Sequence, residues 1–162
     1  MKKLVLAALM LFGFLLSAQA QDIASNALGI RTGDNDGFGV EISYQKRLSD
    51  VNRLEFDLGF RDNKNYDAWK LSGIYQWVWN LDGNFNWYAG FGAGIGSLDI
   101  SNDNFDGDDG LFVNANGNIG IEYDFDIPLL ISIDFRPELG LVNDFGDNDL
   151  GLDIALGLRY QF

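Results

Sequence analysis

The stretch Gly151-Leu-Asp-Ile-Ala-Leu-Gly-Leu-Arg-Tyr-Gln-Phe162 decides the fold of this 162-residue chain. Its even positions are large and apolar, and its odd positions are small or polar. Side chains alternate between the two faces of a β-strand, so the stretch predicts a strand with one apolar face and one polar face. The pattern continues to the last residue of the sequence, with Tyr160 two residues before Phe162.

Segments with the same alternation recur along the chain, separated by clusters of Asp, Asn and Gly. Eight of them are present, at residues 26–33, 38–48, 53–61, 67–79, 85–98, 111–125, 129–142 and 151–162. Most are long enough to cross a bilayer at a tilt, which takes about 9–11 residues. No helix-length apolar run follows residue 20, so a membrane location requires a closed barrel. We predict an all-β domain over residues 21–162, an eight-stranded antiparallel up-and-down transmembrane β-barrel.

The links between the segments alternate in length. Residues 49–52, 82–84 and 126–128 form short links, whereas 33–37, 61–66, 100–110 and 143–150 form longer ones. With both termini in the periplasm, the short links fall on the periplasmic side, which is the asymmetry of transmembrane barrels. Within the seventh segment, Pro137 lacks the N–H that a strand ladder needs, and it therefore predicts a bulge or a local gap.

The first twenty residues are typical of a cleaved signal peptide. Lys2 and Lys3 supply the positive region, residues 4–16 the apolar region, and Ala18-Gln-Ala20 the small-residue cleavage site. Loss of the two lysines takes the net charge from −13 to −15, which argues against nucleic acid as a partner because phosphate binding needs clustered bases. The sequence contains neither cysteine nor histidine.

Alternation alone fits both a membrane barrel, apolar outside, and a soluble lipocalin-like barrel, apolar inside. Small side chains on the polar face favour the membrane barrel, because a narrow eight-stranded lumen has little room; they are Gly90, Gly92, Gly94, Gly96, Asn114, Asn116 and Asn118. Aromatic residues collect near the short links, as in the belts at membrane interfaces. These are Tyr44, Phe56, Trp77, Trp79, Phe85, Trp87, Tyr123, Phe125, Tyr160 and Phe162.

The charges on the polar face are nearly balanced, with eight acids and seven bases. Charges confined in a lumen are costly unless they are paired, so the balance predicts an interior network of ion pairs. We assign to it Arg31, Glu41, Arg53, Glu55, Asp57, Arg61, Lys70, Glu122, Asp134, Arg136, Glu138, Asp153 and Arg159, and Arg47 and Asp124 lie on the same face.

In its whole pattern, from the signal peptide to Phe162, the chain resembles the small eight-stranded outer-membrane barrels of bacteria, of the OmpX and OmpA β-domain type. The resemblance implies residence in the outer membrane, contact with its lipid and lipopolysaccharide, and assembly by the barrel-assembly machinery. In that family the closing strand carries the assembly signal, here Leu158, Tyr160 and Phe162. We expect two departures from the OmpA pattern, which are the lack of a periplasmic domain after the barrel and short surface loops. We expect a monomer without a cofactor.

Catalytic chemistry is not expected. The outer-membrane barrel enzymes, such as lipid A deacylases, palmitoyl transferases and omptin proteases, place a histidine at the working centre, and a serine needs such a base to become a nucleophile. Paired carboxylates such as Asp134 and Glu138 could in principle do acid–base work, as in glycosidases, but we expect them to form salt bridges to Arg136 and Arg159 inside the barrel. We therefore predict a non-enzymatic structural or surface-interaction barrel. The alternative is a narrow porin-like channel for small solutes, although eight strands enclose an interior that side chains just fill.

Aspartates crowd the longer links. The stretch Asn102-x-Asn104-x-Asp106-Gly107 imitates the first half of a calcium loop, but Val113 stands where the bidentate Glu belongs. We expect no dedicated metal site, and weak binding of Ca²⁺ or Mg²⁺ at most. The candidate ligands are Asp103, Asp106, Asp108 and Asp109.

Overall fold

The chain forms a closed antiparallel barrel. The computed structural model describes residues 23–33, 39–62, 66–100, 110–143 and 150–162. Its strands are β1 (Asn26–Thr32), β2 (Val40–Arg47), β3 (Asn52–Asp62), β4 (Tyr66–Asp82), β5 (Phe85–Ile100), β6 (Gly110–Asp124), β7 (Leu129–Asn143) and β8 (Leu150–Gln161). Each strand pairs with the next, and β8 pairs with β1, so the predicted up-and-down barrel is confirmed. The predicted signal peptide lies outside the described residues.

The outer surface of the barrel is apolar and the interior is polar. Along β8, Ile154 and Leu156 are each 56 % exposed, whereas Asp153 and Arg159 are buried. A continuous apolar surface of this kind is unfavourable in water and matches the hydrocarbon of a bilayer, where a closed barrel pairs its backbone groups between strands. The barrel is therefore of the transmembrane type, and the soluble alternative with an apolar lumen is wrong. Among the described residues, no helix has the length and apolar character that crossing a membrane demands.

Aromatic side chains meet across strands on the outer face near the short links. Edge or stacked contacts join neighbouring rings at centroid distances of 4.4–4.7 Å, in the pairs Trp79–Trp87, Phe85–Tyr123 and Tyr123–Phe125. Such amphipathic rings suit the boundary between hydrocarbon and headgroups. The predicted aromatic belt therefore contains cross-strand ring contacts between β4 and β5 and between β5 and β6.

The short links, the start of β1 and the end of β8 lie at the same end of the barrel. The β4–β5 link is a two-residue turn in which Gly83 has φ +52°, a conformation that glycine adopts at no steric cost. At the opposite end the prediction of a longer link at 61–66 is wrong. Strand β3 extends to Asp62 and β4 begins at Tyr66, so the link shrinks to residues 63–65 because cross-strand pairing continues past the predicted ends.

The gap predicted at Pro137 is confirmed. Strands β6 and β7 pair at Ile119 with Phe135 and again at Asn116 with Glu138, but the two positions between these pairs are missing from the ladder. The register is the same on both sides, so the strand continues without a bulge at this point. The cause is the missing N–H of proline, which leaves one hydrogen bond of the ladder unmade.

Charge placed on the outer face midway along a strand tests the membrane orientation. We expect Leu156→Arg to lower the free energy of unfolding in lipid by about 2–4 kcal/mol, because the guanidinium would lie near the bilayer midplane. Leu150→Arg, at the end of the same strand, is the matched control, with an expected loss of about 0–1 kcal/mol. The measurement is urea unfolding of the lipid-reconstituted barrel, followed by the mobility of unboiled protein in a gel. Equal losses for the two variants would contradict this orientation.

Candidate functional site in the barrel interior

The candidate site is the set of charged side chains buried in the lumen, which we call the interior network. Five bases and seven acids are at most 8 % exposed, and together they carry a formal charge of −2. They are Arg31, Arg53, Lys70, Arg136, Arg159, Glu41, Glu55, Asp57, Glu122, Asp134, Glu138 and Asp153. From the sequence, the polar face was predicted to carry a charge of −1. The two values differ because that prediction also counted Arg47, Arg61 and Asp124. These three lie on the inner face toward the ends of the strands and are only half-buried.

Arg31 joins carboxylates from three strands. Its NH1 donates to Glu41 Oε2 of β2 at 2.8 Å, and its NH2 lies 2.7 Å from Asp134 Oδ1 of β7. Asp153 Oδ2 of β8 lies 2.8 Å from the same NH2. A guanidinium has five donors in a fixed planar arrangement, so one side chain can bind several carboxylates at once. Arg31 therefore ties β1 to β2, β7 and β8 from within.

Arg136 bridges the full width of the lumen. It projects from β7, and its NH2 donates to Glu55 Oε1 at 3.0 Å and to Asp57 Oδ2 at 2.7 Å, both on β3. Four steps around the barrel separate β3 from β7 in either direction, so this contact joins opposite walls. Arg159 of β8 reaches the second oxygen of the same glutamate, with NH2 3.1 Å from Glu55 Oε2.

Arg53 and Glu122 form a bidentate pair nearer the short links. NH1 and NH2 of Arg53 donate to the two carboxylate oxygens at 3.0 and 2.7 Å, and Nε donates to Gln76 Oε1 at 2.6 Å. The guanidinium carbon lies 4.8 Å from the centre of the Tyr88 ring, a cation–π contact. The ring fits because the residue beside it on β6 is Gly120, where a methyl group would overlap the ring.

Lys70 closes the long-link end of the network. Its Nζ lies 3.1 Å from Glu138 Oε1, and Asn114 donates through Nδ2 to Glu138 Oε2 at 2.8 Å. Two serines of the lumen serve the same network. Arg159 donates through Nε to Ser43 Oγ and through NH1 to Ser132 Oγ, each at 2.9 Å. These hydroxyls accept from a guanidinium, which is the opposite of activation by a base.

The short-link mouth of the lumen is covered by residues just before β1. Ile23 is 7 % exposed and packs against Val78 and Tyr88 inside the barrel. Arg47 holds the segment in place by donating through NH1 to the carbonyl oxygen of Ile23 at 3.0 Å. A recess of about 10 Å³, which is room for one water molecule, remains beside it, with Arg53 among its lining residues.

Most of the residues assigned from the sequence come together, and some lie outside the site. Twelve of the thirteen predicted network residues are buried in the lumen, and Arg61 is half-buried on the same face. Leu158, Tyr160 and Phe162 lie on the outer face, 45–59 % exposed, and their assembly role stays a prediction. The aspartates proposed as metal ligands, at 103–109, lie outside the described residues. Within the described ranges, no three acidic, His or Cys side chains are grouped as a metal site.

Sequence reasoning missed Ile23 and Tyr88. Ile23 precedes the first alternating segment, and nothing in the local pattern indicates that it turns into the lumen. For Tyr88 a signal was present, since it alternates with Asn86 and Gly90 and therefore shares their inward face. Tyr88 was not assigned to the lumen because it is large and the polar face was expected to carry small side chains.

Solved structures with the same fold are small outer-membrane barrels. They include the N-terminal β-barrel domain of Pseudomonas aeruginosa OprF (TM-score 0.63, 16 % identity, 89 % of this chain and 100 % of that one). Others are the attachment invasion locus protein of Yersinia pestis (0.58, 15 %, 86 % and 97 %) and Neisserial surface protein A (0.58, 14 %, 85 % and 93 %). No protein-family model matches the chain, and no curated protein sequence does either. At these identities the likeness shows the fold, which confirms the predicted architecture.

A double-mutant cycle tests the energetic coupling of Arg53 and Glu122. We expect Arg53→Met alone to reduce the free energy of unfolding by about 3–5 kcal/mol, since it leaves a buried carboxylate unpaired. Adding Glu122→Leu removes that carboxylate and restores most of the loss. Lys46→Met, on the exposed face of β2, is the control for loss of charge alone. Additive losses in urea unfolding would show that the pair is not coupled.

Proposed function

We propose that this protein is a non-enzymatic, integral outer-membrane barrel with a structural or surface-interaction role in the bacterial envelope. The observation that carries the proposal is the bridge from Arg136 to Glu55 and Asp57, which spans the lumen at its full width. An interior filled by such bridges suits a rigid scaffold whose contacts with other molecules are made at its ends and outer face. The outer-membrane location rests on the transmembrane fold and the predicted signal peptide.

The buried groups that would have to perform catalysis are engaged in structural contacts. Asp134 accepts from Arg31 and Glu138 lies beside Lys70, so both carboxylates are in ion pairs, and the predicted salt bridges from them to Arg136 and Arg159 are wrong. Ser43 and Ser132 accept from Arg159. The sequence has no histidine to move a proton near neutral pH. These features support a role without chemistry.

The charge of the chain bears on its surface partners. At a net charge of −13, with aspartates concentrated in the longer links, the outer loops would repel a polyanion. The attachment invasion locus protein has been solved with a heparin analogue, sucrose octasulfate, and a ligand of that charge does not suit this chain. We propose that the loops approach anionic lipopolysaccharide with divalent cations between them. We propose that the barrel-assembly machinery inserts the protein into the outer membrane. We also propose that the protein is a monomer there.

A narrow channel is the second candidate, because a small recess lined in part by Ile23, Arg53 and Glu122 lies at the short-link mouth of the lumen. The bidentate Arg53–Glu122 pair stands in that lining and would have to move for solute to pass. We expect purified protein in planar bilayers to produce no steady conductance steps. An open porin added to the same membrane is the positive control. Reproducible steps from the unboiled, folded protein would replace the structural proposal with the channel.

Enzymatic action on lipid A is tested separately. We expect mass spectra of lipid A from a deletion strain and from a strain overproducing the protein to be the same as those of the parent. The control is a strain producing a barrel with several lumen charges removed, such as Arg136→Met with Glu55→Leu and Asp57→Leu. A change in acyl chain number that follows the amount of intact protein would contradict a non-enzymatic role.

A further inference from the structure

The apolar outer face is much shorter on β1 and β2 than on β8. Along β8 every outward residue from Leu150 to Tyr160 is apolar or aromatic and is 45–62 % exposed. A strand tilted by about 40° climbs roughly 2.5 Å per residue, so this stretch is roughly 25 Å tall, which equals the apolar band of outer-membrane barrels. The outward apolar stretch of β2, from Val40 to Tyr44, is only roughly 10 Å tall. We call the outward surface of β1 and β2, formed by Leu28, Ile30, Val40 and Ile42, the short face.

The ladder shows where the short face ends. Thr32, the last residue of β1, pairs with Leu156 on one side and with Val40 on the other. Strand tilt changes the level by about 3 Å from one strand to the next, so Val40 lies within about 6 Å of the level of Leu156. Leu150 lies roughly 15 Å from Leu156 toward the long links. The short face therefore ends at least roughly 9 Å before the top of β8.

The sequence between β1 and β2 does not lengthen this face. The N–H of Gly33 donates to the carbonyl oxygen of Gly39 at 2.9 Å, so the two strands are already joined by a hairpin at this level. The five residues between these glycines, Asp34-Asn-Asp-Gly-Phe38, include two carboxylates and no aliphatic side chain. Because an ionised carboxylate is costly in hydrocarbon, this end of the hairpin requires water or lipid headgroups beside it.

Polar groups also border the short face at the short-link end. Lys46 is exposed on the outer face of β2, and its Nζ donates to Asn26 Oδ1 at 3.0 Å. The hydroxyl of Tyr44 donates to the same oxygen at 2.9 Å. A lysine in such a position keeps its ammonium among the headgroups. The short face is therefore limited by polar groups at both of its ends.

We propose that the short face is a lipid-interaction surface beside which the bilayer is locally thinned. Headgroups and water descend to the hairpin on the long-link side and approach Lys46 on the short-link side. A bilayer adapts to a short apolar surface by thinning next to it, at a modest cost. Tilting the whole barrel is the other response. It is disfavoured because the opposite strand β6 carries apolar or small outward residues from Leu111 to Tyr123, and tilting would move one end of them out of the hydrocarbon.

Spin labels on single cysteines test the proposal, since the chain has no cysteine of its own. Val40→Cys and Leu139→Cys are labelled with a nitroxide, and the barrel is reconstituted in phosphatidylcholine vesicles. Leu139 pairs with Leu150, so in a flat bilayer it lies at least roughly 6 Å nearer than Val40 to the long-link headgroups. The accessibility of each label to a water-soluble nickel complex is measured by power saturation. We expect the Val40 label to be at least as accessible as the Leu139 label, whereas a flat bilayer makes it several-fold less accessible.

A second pair of labels separates thinning from tilting. Leu28 pairs with Tyr160 and Ile131 pairs with Leu158, so both sites lie near the short-link border of the apolar surface. Thinning leaves a label at Leu28→Cys at least as accessible as one at Ile131→Cys. A tilt that raises the short face toward the long-link side makes the Leu28 label the less accessible of the two.

Two results would overturn the proposal. They are a Val40 label several-fold less accessible than the Leu139 label, and an accessible Val40 label combined with a Leu28 label that is less accessible than Ile131. Every variant must keep the gel mobility of the folded, unboiled barrel, and Thr32→Cys, on the same row, replaces Val40→Cys if that variant does not fold. The inference rests on the transmembrane orientation, so conductance and lipid A measurements test the structural role independently.

Discussion

The structure depends on charged side chains that are buried at the centre of a narrow barrel. Eight strands leave an interior that side chains must fill, and here Arg136 and its two carboxylates fill it from wall to wall. Taking such charges out of water is costly, and their mutual attraction repays the cost only when the geometry is good. Each bridge is therefore more important as protection against an unpaired charge than as a source of net stability. Since Glu55 is shared by Arg136 and Arg159, the bridges depend on one another.

Charge and bulk are distributed unequally around the lumen. The inner face of β5 carries Asn86, Tyr88 and then glycines, with no charged side chain among them. Because glycines have no side chain, this face of β5 projects little into the lumen, and long side chains from the opposite strands have room to extend across the barrel axis. The same arrangement explains why Tyr88 can stack on Arg53, since Gly120 leaves space for the ring. The glycines of β5 and the arginines of the other strands are therefore complementary in shape, because the long arginine side chains extend into the space that the glycines leave.

The sequence predicted the strands and their faces well because both follow from the two-residue repeat. Twelve network residues were assigned to the lumen correctly, since one inward position fixes the direction of every second residue along its strand. Their partners were not predictable. Arg53 binds Glu122 across three strands and Arg136 binds Asp57 across four, and such pairings depend on the relative shift of strands around the closed barrel. The inward turn of Ile23 escaped prediction for a related reason, because it depends on Val78 and Tyr88, which are distant in sequence.

The lumen also distributes its hydrogen-bond donors unequally. On the charged side, guanidinium groups supply enough donors for several acceptors each, as Arg31 does for Glu41, Asp134 and Asp153. On the glycine side, β5 anchors no long donor, whereas the neighbouring strand β4 carries Lys70 and Gln76 beside the short Ser72. Buried atoms without a hydrogen-bond partner among the described residues consequently include acceptors, such as Ser72 Oγ, and guanidinium donors, such as Arg136 Nε, so reach and geometry limit the pairing as much as number does.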